Sequence, residues 1–138
     1  MNTTVSVVMS VFDGEPYLSG AIESILNQTF HDFEFIIIND GSKDKSWEVI
    51  QQYASQDPRI VPITQENIGL TKSLNKGIWK ARGKFIARQD ADDVSFPNRL
   101  ERQLPWVQKH GYGMCCSRIW MEKHKRVSPG WSYWIPNG

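Results

Sequence analysis

The apolar residues of this chain follow two alternating patterns. The first is a short and nearly continuous apolar run, and VSVVMSV (residues 5–11) and FEFIIIN (33–39) are the clearest examples. Such runs are typical of strands that are buried on both faces of a parallel sheet. In the second pattern, apolar residues recur three and four positions apart, as on one face of a helix. After Pro16 they are Leu18, Ala21, Ile22, Ile25 and Leu26.

The alternation continues through the next fifty residues. A turn at 40–44 precedes a second helical face, RIVPIT (59–64) predicts a third strand, and KFIAR (84–88) predicts a fourth. Because Pro62 cannot donate a ladder hydrogen bond, we expect the third strand to lie near an edge. The inward faces predicted for the second and third helices are Trp47, Ile50, Tyr53 and Ala54, and Leu70, Leu74, Ile78 and Ala81.

Three strand–helix units, each followed by another strand, predict a Rossmann-like α/β fold: a mostly parallel, right-handed sheet flanked by helices. Beyond it, Pro97 is expected to open a fourth helix that kinks or ends early at Pro105. From Gly111 the pattern weakens, although MCCSRIW (114–120) is compatible with a strand. We therefore expect a main α/β domain over residues 1–110 and an incomplete segment over 111–138.

Composition narrows the possible partners. Sixteen Lys and Arg against fifteen Asp and Glu leave a formal charge of +1, so no field of one sign indicates nucleic acid or an anionic membrane. No apolar run is long enough to span a bilayer. The two cysteines, Cys115 and Cys116, are adjacent, which suits neither a disulfide framework nor a zinc site. A cytoplasmic location is expected, with peripheral contact at the inner membrane face left open.

The stretch FIARQDADDVSFP (85–97) concentrates three carboxylates, Asp90, Asp92 and Asp93, directly after the fourth predicted strand. Like charges this close destabilise a compact state unless a cation or strong donors compensate them. Ligands of open α/β sheets bind beyond the carboxyl ends of the strands, where this stretch would lie with the loops that follow the first two strands. Neither a G-x-G-x-x-G nor a P-loop is present. A divalent cation that links the carboxylates to a diphosphate fits best.

These motifs together resemble family 2 glycosyltransferases with the GT-A fold. The resemblance rests on SVVMSVFDGEPYLSGAIESILNQTF, FEFIIINDGSKDKS, ENIGLTKSLNKGI and FIARQDADDVSFPNRLERQ, in this order along residues 5–104. It implies a GT-A sheet that is truncated at the C-terminus. It also implies a transferase that uses a nucleoside-diphosphate sugar, with UDP as the expected nucleotide.

The resemblance also implies roles for individual residues. Asp40 would bond the nucleotide base, Asp92 would bind Mn²⁺ or Mg²⁺ with Asp90 beside it, and Asp93 would support the metal indirectly. The implied donor-binding residues are Val11, Phe12, Asp13, Glu15, Asp40, Asn67, Gly69, Asp90 and Ala91.

No general base is implied within the chain. The only acid after residue 104 is Glu122, in a polar stretch, so the base is expected beyond residue 138. We therefore expect the donor-binding portion of a longer, inverting enzyme of polysaccharide or glycoconjugate synthesis, acting on a glycan or lipid-linked acceptor. A truncated module that binds nucleotide sugar without transfer is the alternative. A nucleotidyltransferase is a weaker third hypothesis, since its glycine-rich basic loop is missing.

Overall fold

The computed structural model describes residues 3–110, 115, 120–121 and 126–127. The chain divides into two compact units, Met1–Pro97 and Asn98–Gly138. The elements of the first unit are β1 (Val5–Val11), α1 (Glu15–Leu26), β2 (Phe33–Asp40), α2 (Ser46–Gln56), β3 (Ile60–Gln65), α3 (Leu70–Lys80) and β4 (Phe85–Arg88).

The strands of the first unit form a four-stranded sheet in the order β3-β2-β1-β4. Every pairing in it is parallel, which confirms the predicted sheet type. All residues of β2 are buried, as expected of a strand covered on both faces. β3 is an edge of this sheet, so the position expected from Pro62 is also confirmed.

The strand order reverses once, between β3 and β4. The chain moves outward from β1 to β2 and β3, and then returns to place β4 on the other side of β1. Right-handed crossovers put α1 and α2 on one face of such a sheet and α3 on the other. In a sheet of this order, the ligand crevice is expected at the carboxyl ends of β1 and β4, where the order reverses.

Helix α3 packs closely on the sheet, but only in part through the predicted residues. Leu74 and Ala81 pack against the core of the sheet, as predicted. Its buried residues are Ser73 and Gly77, whereas Leu70 and Ile78 are 52% and 46% exposed. A β-carbon on Gly77 would lie 2.5 Å from Cγ1 of Val8 and would also collide with the sheet beyond it. The helix therefore approaches the sheet through its smallest residues. The expectation that Leu70 and Ile78 face inward is wrong.

The second unit contains α4 (Arg99–His110) and a short antiparallel pair, β5 (Trp120–Met121) and β6 (Arg126–Val127). The expectation for this helix is a kink or an early end at Pro105; α4 continues through Pro105, so the early end is wrong. Most of the strand expected in MCCSRIW lies outside the described residues. Among the residues described, no helix is both long enough and apolar enough to cross a bilayer.

Candidate functional site

Three polar loops follow the carboxyl ends of β1, β2 and β4. Because the strands are parallel and neighbouring, these loops lie along one edge of the sheet. The β1 loop lies close to the β4 loop, since a β-carbon on Gly14 would be 3.7 Å from Cβ of Ala91. The predicted residues on these loops are Val11, Phe12, Asp13 and Glu15 around the β1 end, Asp40 at the β2 end, and Asp90, Ala91, Asp92 and Asp93 after β4.

The loops after β1 and β2 are joined by two aspartates, each of which accepts a hydrogen bond from the backbone of the other loop. Oδ1 of Asp13 accepts hydrogen bonds from the backbone N–H of Lys43 at 2.7 Å and of Asp44 at 3.3 Å. In return, Oδ2 of Asp44 accepts from the N–H of Glu15 at 3.0 Å, and its Oδ1 accepts from the N–H of Ser46 at 2.9 Å. We call this arrangement the Asp13–Asp44 clasp.

The clasp contains an unusual backbone conformation at Asp13 and a carboxylate of lowered pKa at Asp44. Asp13 has a φ of +49°, a left-handed conformation that is uncommon outside glycine but tolerated by aspartate. Burial acts to raise the pKa of Asp44, but the hydrogen bonds from Ser46 and Glu15 outweigh it and hold this pKa below its usual value. Asp44 therefore stays ionised in its role as acceptor.

Asp40 is 2% exposed and is held by the segment that leads from β3 into α3. Its Oδ1 accepts from Nε2 of Gln65 at 2.8 Å and from the N–H of Ile68 at 2.9 Å, and its Oδ2 accepts from the N–H of Gly69 at 2.9 Å. Burial acts to raise the pKa of Asp40, but these hydrogen bonds more than offset it and lower the pKa. The carboxylate thus fixes the turn that contains the predicted residues Asn67 and Gly69.

Gly41 allows this turn to approach the end of β2. It has a φ of +77°, and a β-carbon there would lie 2.6 Å from the backbone nitrogen of Asn67. Only glycine satisfies both the conformation and the space.

An open depression of about 690 Å³ is lined by this turn, by the ends of β2 and β3, and by Trp47 and Glu48 of α2. Of the predicted donor-binding residues, it includes only Asn67. The crevice between β1 and β4 is the better candidate site, because the strand order reverses there and the loops carry the predicted carboxylates.

The loop with the three carboxylates is anchored by Gln89, a residue that sequence reasoning missed. Gln89 is 3% exposed, and its Nε2 donates to the carbonyl oxygens of Asp90 at 3.1 Å and Asp93 at 2.7 Å. Its Oε1 accepts from the hydroxyl of Ser95 at 2.7 Å. An amide between an apolar strand and three acids was the available signal, because such a side chain can bond backbone carbonyls that the acids cannot.

The same loop is tied to the end of α1. The backbone N–H of Ser95 donates to Oγ of Ser24 at 3.0 Å, and Nε2 of Gln28 donates to the carbonyl of Phe96 at 2.8 Å. Both ends of the acidic stretch are therefore fixed, although Asp92 and Asp93 themselves are exposed.

Asp90 already has a cationic neighbour. Nε of Arg88 donates to Oδ1 of Asp90 at 2.9 Å, and Nη2 of Arg88 lies 2.8 Å from the same oxygen. Both side chains are about half exposed, so the pair adds little stability. The guanidinium compensates one of the three clustered charges.

The carboxylate oxygens after β4 suit a metal ion that takes some of its ligands from the protein and the others from phosphate and water. In the described portion of the chain, no three metal-binding side chains from His, Cys, Asp and Glu come together. Mg²⁺ and its analogues are commonly held by one or two carboxylates, with phosphate oxygens and water completing the shell. Exposed carboxylates on an anchored loop fit that requirement.

The sequence model of the family described as glycosyl transferase family 2 matches residues 6–137. The chain belongs to this family. The family assignment made from the four motifs is thereby confirmed.

Relatives in this family agree with the assignment. The chain is 46% identical over 109 residues to an uncharacterised glycosyltransferase of Methanocaldococcus jannaschii, a match that covers 77% of the chain and 38% of the relative. It is 41% identical over 108 residues to EpsE of Bacillus subtilis, also named as a glycosyltransferase, with 77% and 39% covered. The chain thus spans about two fifths of these relatives.

Solved structures support the fold. The family 2 chain resembles S. aureus TarS in complex with UDP-GlcNAc, with a TM-score of 0.73, 22% identity, and 79% of this chain and 32% of TarS covered. It also resembles the Pyrobaculum calidifontis mannosyltransferase PcManGT in complex with GDP-Man and Mn²⁺, with a TM-score of 0.73, 20% identity, and 83% and 35% covered. These similarities confirm the predicted GT-A type of α/β fold.

Proposed function

We propose that this family 2 chain is the donor-binding part of an inverting, metal-dependent glycosyltransferase that moves a sugar from a UDP-sugar to an acceptor hydroxyl. The observation that carries the proposal is the convergence of the β1, β2 and β4 loops around the crevice where the strand order reverses. TarS was solved with UDP-GlcNAc and PcManGT with GDP-Man, so a nucleotide sugar is the ligand class that fits the fold.

In the proposed complex, the nucleotide lies along the β1 loop and near the end of β2. A carboxylate offers about four lone-pair directions, and Asp40 uses three of them for Gln65, Ile68 and Gly69. A side-chain hydrogen bond with Ser73 also contributes to the lowered pKa, which keeps the carboxylate ionised as an acceptor. A base N–H would therefore share one of its oxygens with an internal donor, and these donors fix the orientation of the carboxylate.

Mn²⁺ or Mg²⁺ would be held by Asp92, with Asp90 beside it and Asp93 in support. When bound, the cation supplies charge neutralisation for the diphosphate leaving group. Both contacts with Arg88 go to Oδ1 of Asp90, so its Oδ2 could face the ion or a water of the ion while the pairing with Arg88 is kept. Gln89 keeps the loop backbone in place.

The acceptor is proposed to be a glycan or a lipid-linked sugar, with transfer in polysaccharide or glycoconjugate synthesis. A general base must lie within hydrogen-bond reach of the acceptor hydroxyl, and we propose that residues beyond 138 supply it. The alternative is a module that binds the nucleotide sugar without transferring it. Release of UDP from a UDP-sugar by this chain would exclude that alternative.

Titration calorimetry with UDP, in the presence and absence of Mn²⁺, tests the proposal. The parent chain should bind UDP more tightly with Mn²⁺, and Asp92→Ala should lose that gain, at least about tenfold in Kd. Glu48→Ala is the matched control, because Glu48 lines the 690 Å³ depression and is not among the predicted donor-binding or metal-binding residues. Equal UDP affinity of Asp92→Ala and the parent would contradict the metal assignment. Loss of binding only in Glu48→Ala would move the site to the depression.

A further inference from the structure

We propose that the Asp13–Asp44 clasp positions the β1 loop for the donor, so that Asp13 and Asp44 are positioning residues that act through the loop backbone. The inference rests on the proposed function, because it concerns the same crevice. Sequence reasoning did not single out Asp44, and it placed Asp13 among the donor contacts.

The clasp exchanges helix caps between two neighbouring helices. The first N–H groups of a helix lack partners within the helix and need outside acceptors. The N-cap of α1 is Gly14 and that of α2 is Lys45, and neither makes a side-chain capping bond. Instead, side chains at the start of α2 accept hydrogen bonds from the start of α1. Ser46 Oγ accepts from the N–H of Gly14 at 3.0 Å, and Asp44 accepts from the N–H of Glu15.

Asp13 completes the exchange in the opposite direction. Its carboxylate accepts from Lys43 and Asp44 just before α2, and its own N–H donates to Oγ of Ser42 at 3.1 Å. Both loops are therefore held by partners about thirty positions away along the chain. Loss of either carboxylate would release the start of one helix and the loop that precedes it.

The loop that the clasp holds forms one wall of the proposed donor crevice. Gly14 lies next to Ala91 of the acidic loop, and Phe12 beside it is 53% exposed. The left-handed backbone of Asp13 sets the direction in which the chain turns between these two residues. A small rotation there would change the distance between the β1 loop and the carboxylates.

The oxygen usage of the two aspartates differs, and this makes the inference testable. Asp13 uses a single oxygen, Oδ1, for both of its bonds, so the one carbonyl oxygen of an asparagine could replace it. Asp44 uses Oδ2 for Glu15 and Oδ1 for Ser46. An asparagine at position 44 must give up one acceptor and turn an NH₂ group toward a backbone N–H.

The experiment uses the whole 138-residue chain and the variants Asp13→Asn, Asp13→Ala, Asp44→Asn and Asp44→Ala. Kd for UDP with Mn²⁺ is measured by calorimetry, and amide hydrogen exchange of residues 12–15 and 42–46 is followed by NMR. Asp13→Asn should stay within about twofold of the parent, whereas the other three should weaken binding about tenfold. The amide of Glu15 should exchange faster in both Asp44 variants.

Rescue at position 13 without rescue at position 44 is the result that a general loss of stability would not produce. Equal losses in Asp13→Asn and Asp13→Ala would overturn the geometric argument, since charge would then matter more than the acceptor. Fast exchange at Glu15 with parental UDP affinity would show that the clasp is only structural. If the parent binds no nucleotide, the proposed function fails together with the positioning role, while the exchange data still report whether the clasp itself exists.

Discussion

Asp40 accepts a hydrogen bond from the backbone N–H of Gly69 at 2.9 Å, which ties the end of β2 to the start of α3. The two residues are far apart in the chain: Asp40 is the last residue of β2, and Gly69 directly precedes α3. Gln65 and Ile68 donate to the same carboxylate, so three donors converge on one buried side chain. The shape of the candidate site next to β2 depends on this convergence.

Replacement of Asp40 by asparagine should therefore reduce stability. The amide keeps one acceptor oxygen and turns an NH₂ group toward at least one of the donors, which leaves a buried N–H unsatisfied. We expect the free energy of unfolding to fall by about 1–3 kcal/mol in urea denaturation. Asp32→Asn is the control, because the exposed Asp32 accepts from the hydroxyl of Thr4 and should change stability little. Equal effects of the two substitutions would contradict the role of Asp40.

Replacement of Gly77 by alanine should destabilise the chain although alanine favours helix. The helix propensity gain is about 1 kcal/mol. Here the new methyl would lie 2.5 Å from Val8 and 2.7 Å from Ile38, and overpacking of this kind costs about 1–3 kcal/mol. Gly20→Ala in α1 is the matched control, since its methyl would meet only Val94, at 3.9 Å. Thermal unfolding should show a lower Tm for Gly77→Ala and a higher one for Gly20→Ala.

Replacement of Gln89 by glutamate should disturb the acidic loop. The new carboxylate would face the carbonyl oxygens of Asp90 and Asp93, to which Gln89 now donates, and would add a buried charge. We expect a loss of about 3 kcal/mol in the free energy of unfolding, together with weaker Mn²⁺-dependent UDP binding. Gln51→Glu on the exposed side of α2 adds the same charge without these contacts. Unchanged Mn²⁺ dependence in Gln89→Glu would argue against the anchoring role.

The stability of the chain should fall in acid, partly through Glu34. This buried side chain accepts from the hydroxyl of Ser6 at 2.7 Å and pairs with Arg82 at 2.7 Å. Burial acts to raise the pKa of Glu34, but these partners more than offset it and hold the pKa below the ordinary value of 4.5. A depressed folded pKa contributes stability above pH 4.5, and that contribution is lost as the pH falls through the folded pKa.

Glu34→Gln gives the matching measurement. At neutral pH the variant should be less stable than the parent by about 1–3 kcal/mol, because its NH₂ group would face the Arg82 guanidinium. The difference should shrink as the pH falls below 4.5 and through the lowered folded pKa, since Glu34 of the parent then loses its charge as well. A difference that stays constant from pH 7 to pH 3 would show that Glu34 acts through shape alone.

The local pattern was enough to determine the order and type of the elements in the first unit. β1 was predicted with its observed bounds, because continuous β-branched runs have few uses other than a buried strand. The inward residues of α1 were also found, since Leu18, Ala21, Ile22 and Ile25 share one face at helical spacing. The acidic stretch after β4 could also be identified from the sequence, because its three carboxylates lie within four positions of one another.

Only the tertiary structure decided what each element contacts. Helix α3 has its larger apolar residues on one face, yet Gly77 makes the closest approach to Val8 and Ile38, because the separation of helix and sheet is set by both surfaces together. The partners of Asp13 and Asp40 are equally absent from any local pattern. Hydrogen bonds between distant segments leave no periodic pattern in the sequence. The sequence therefore identifies the carboxylates, whereas only the folded structure shows how the loops hold and orient them.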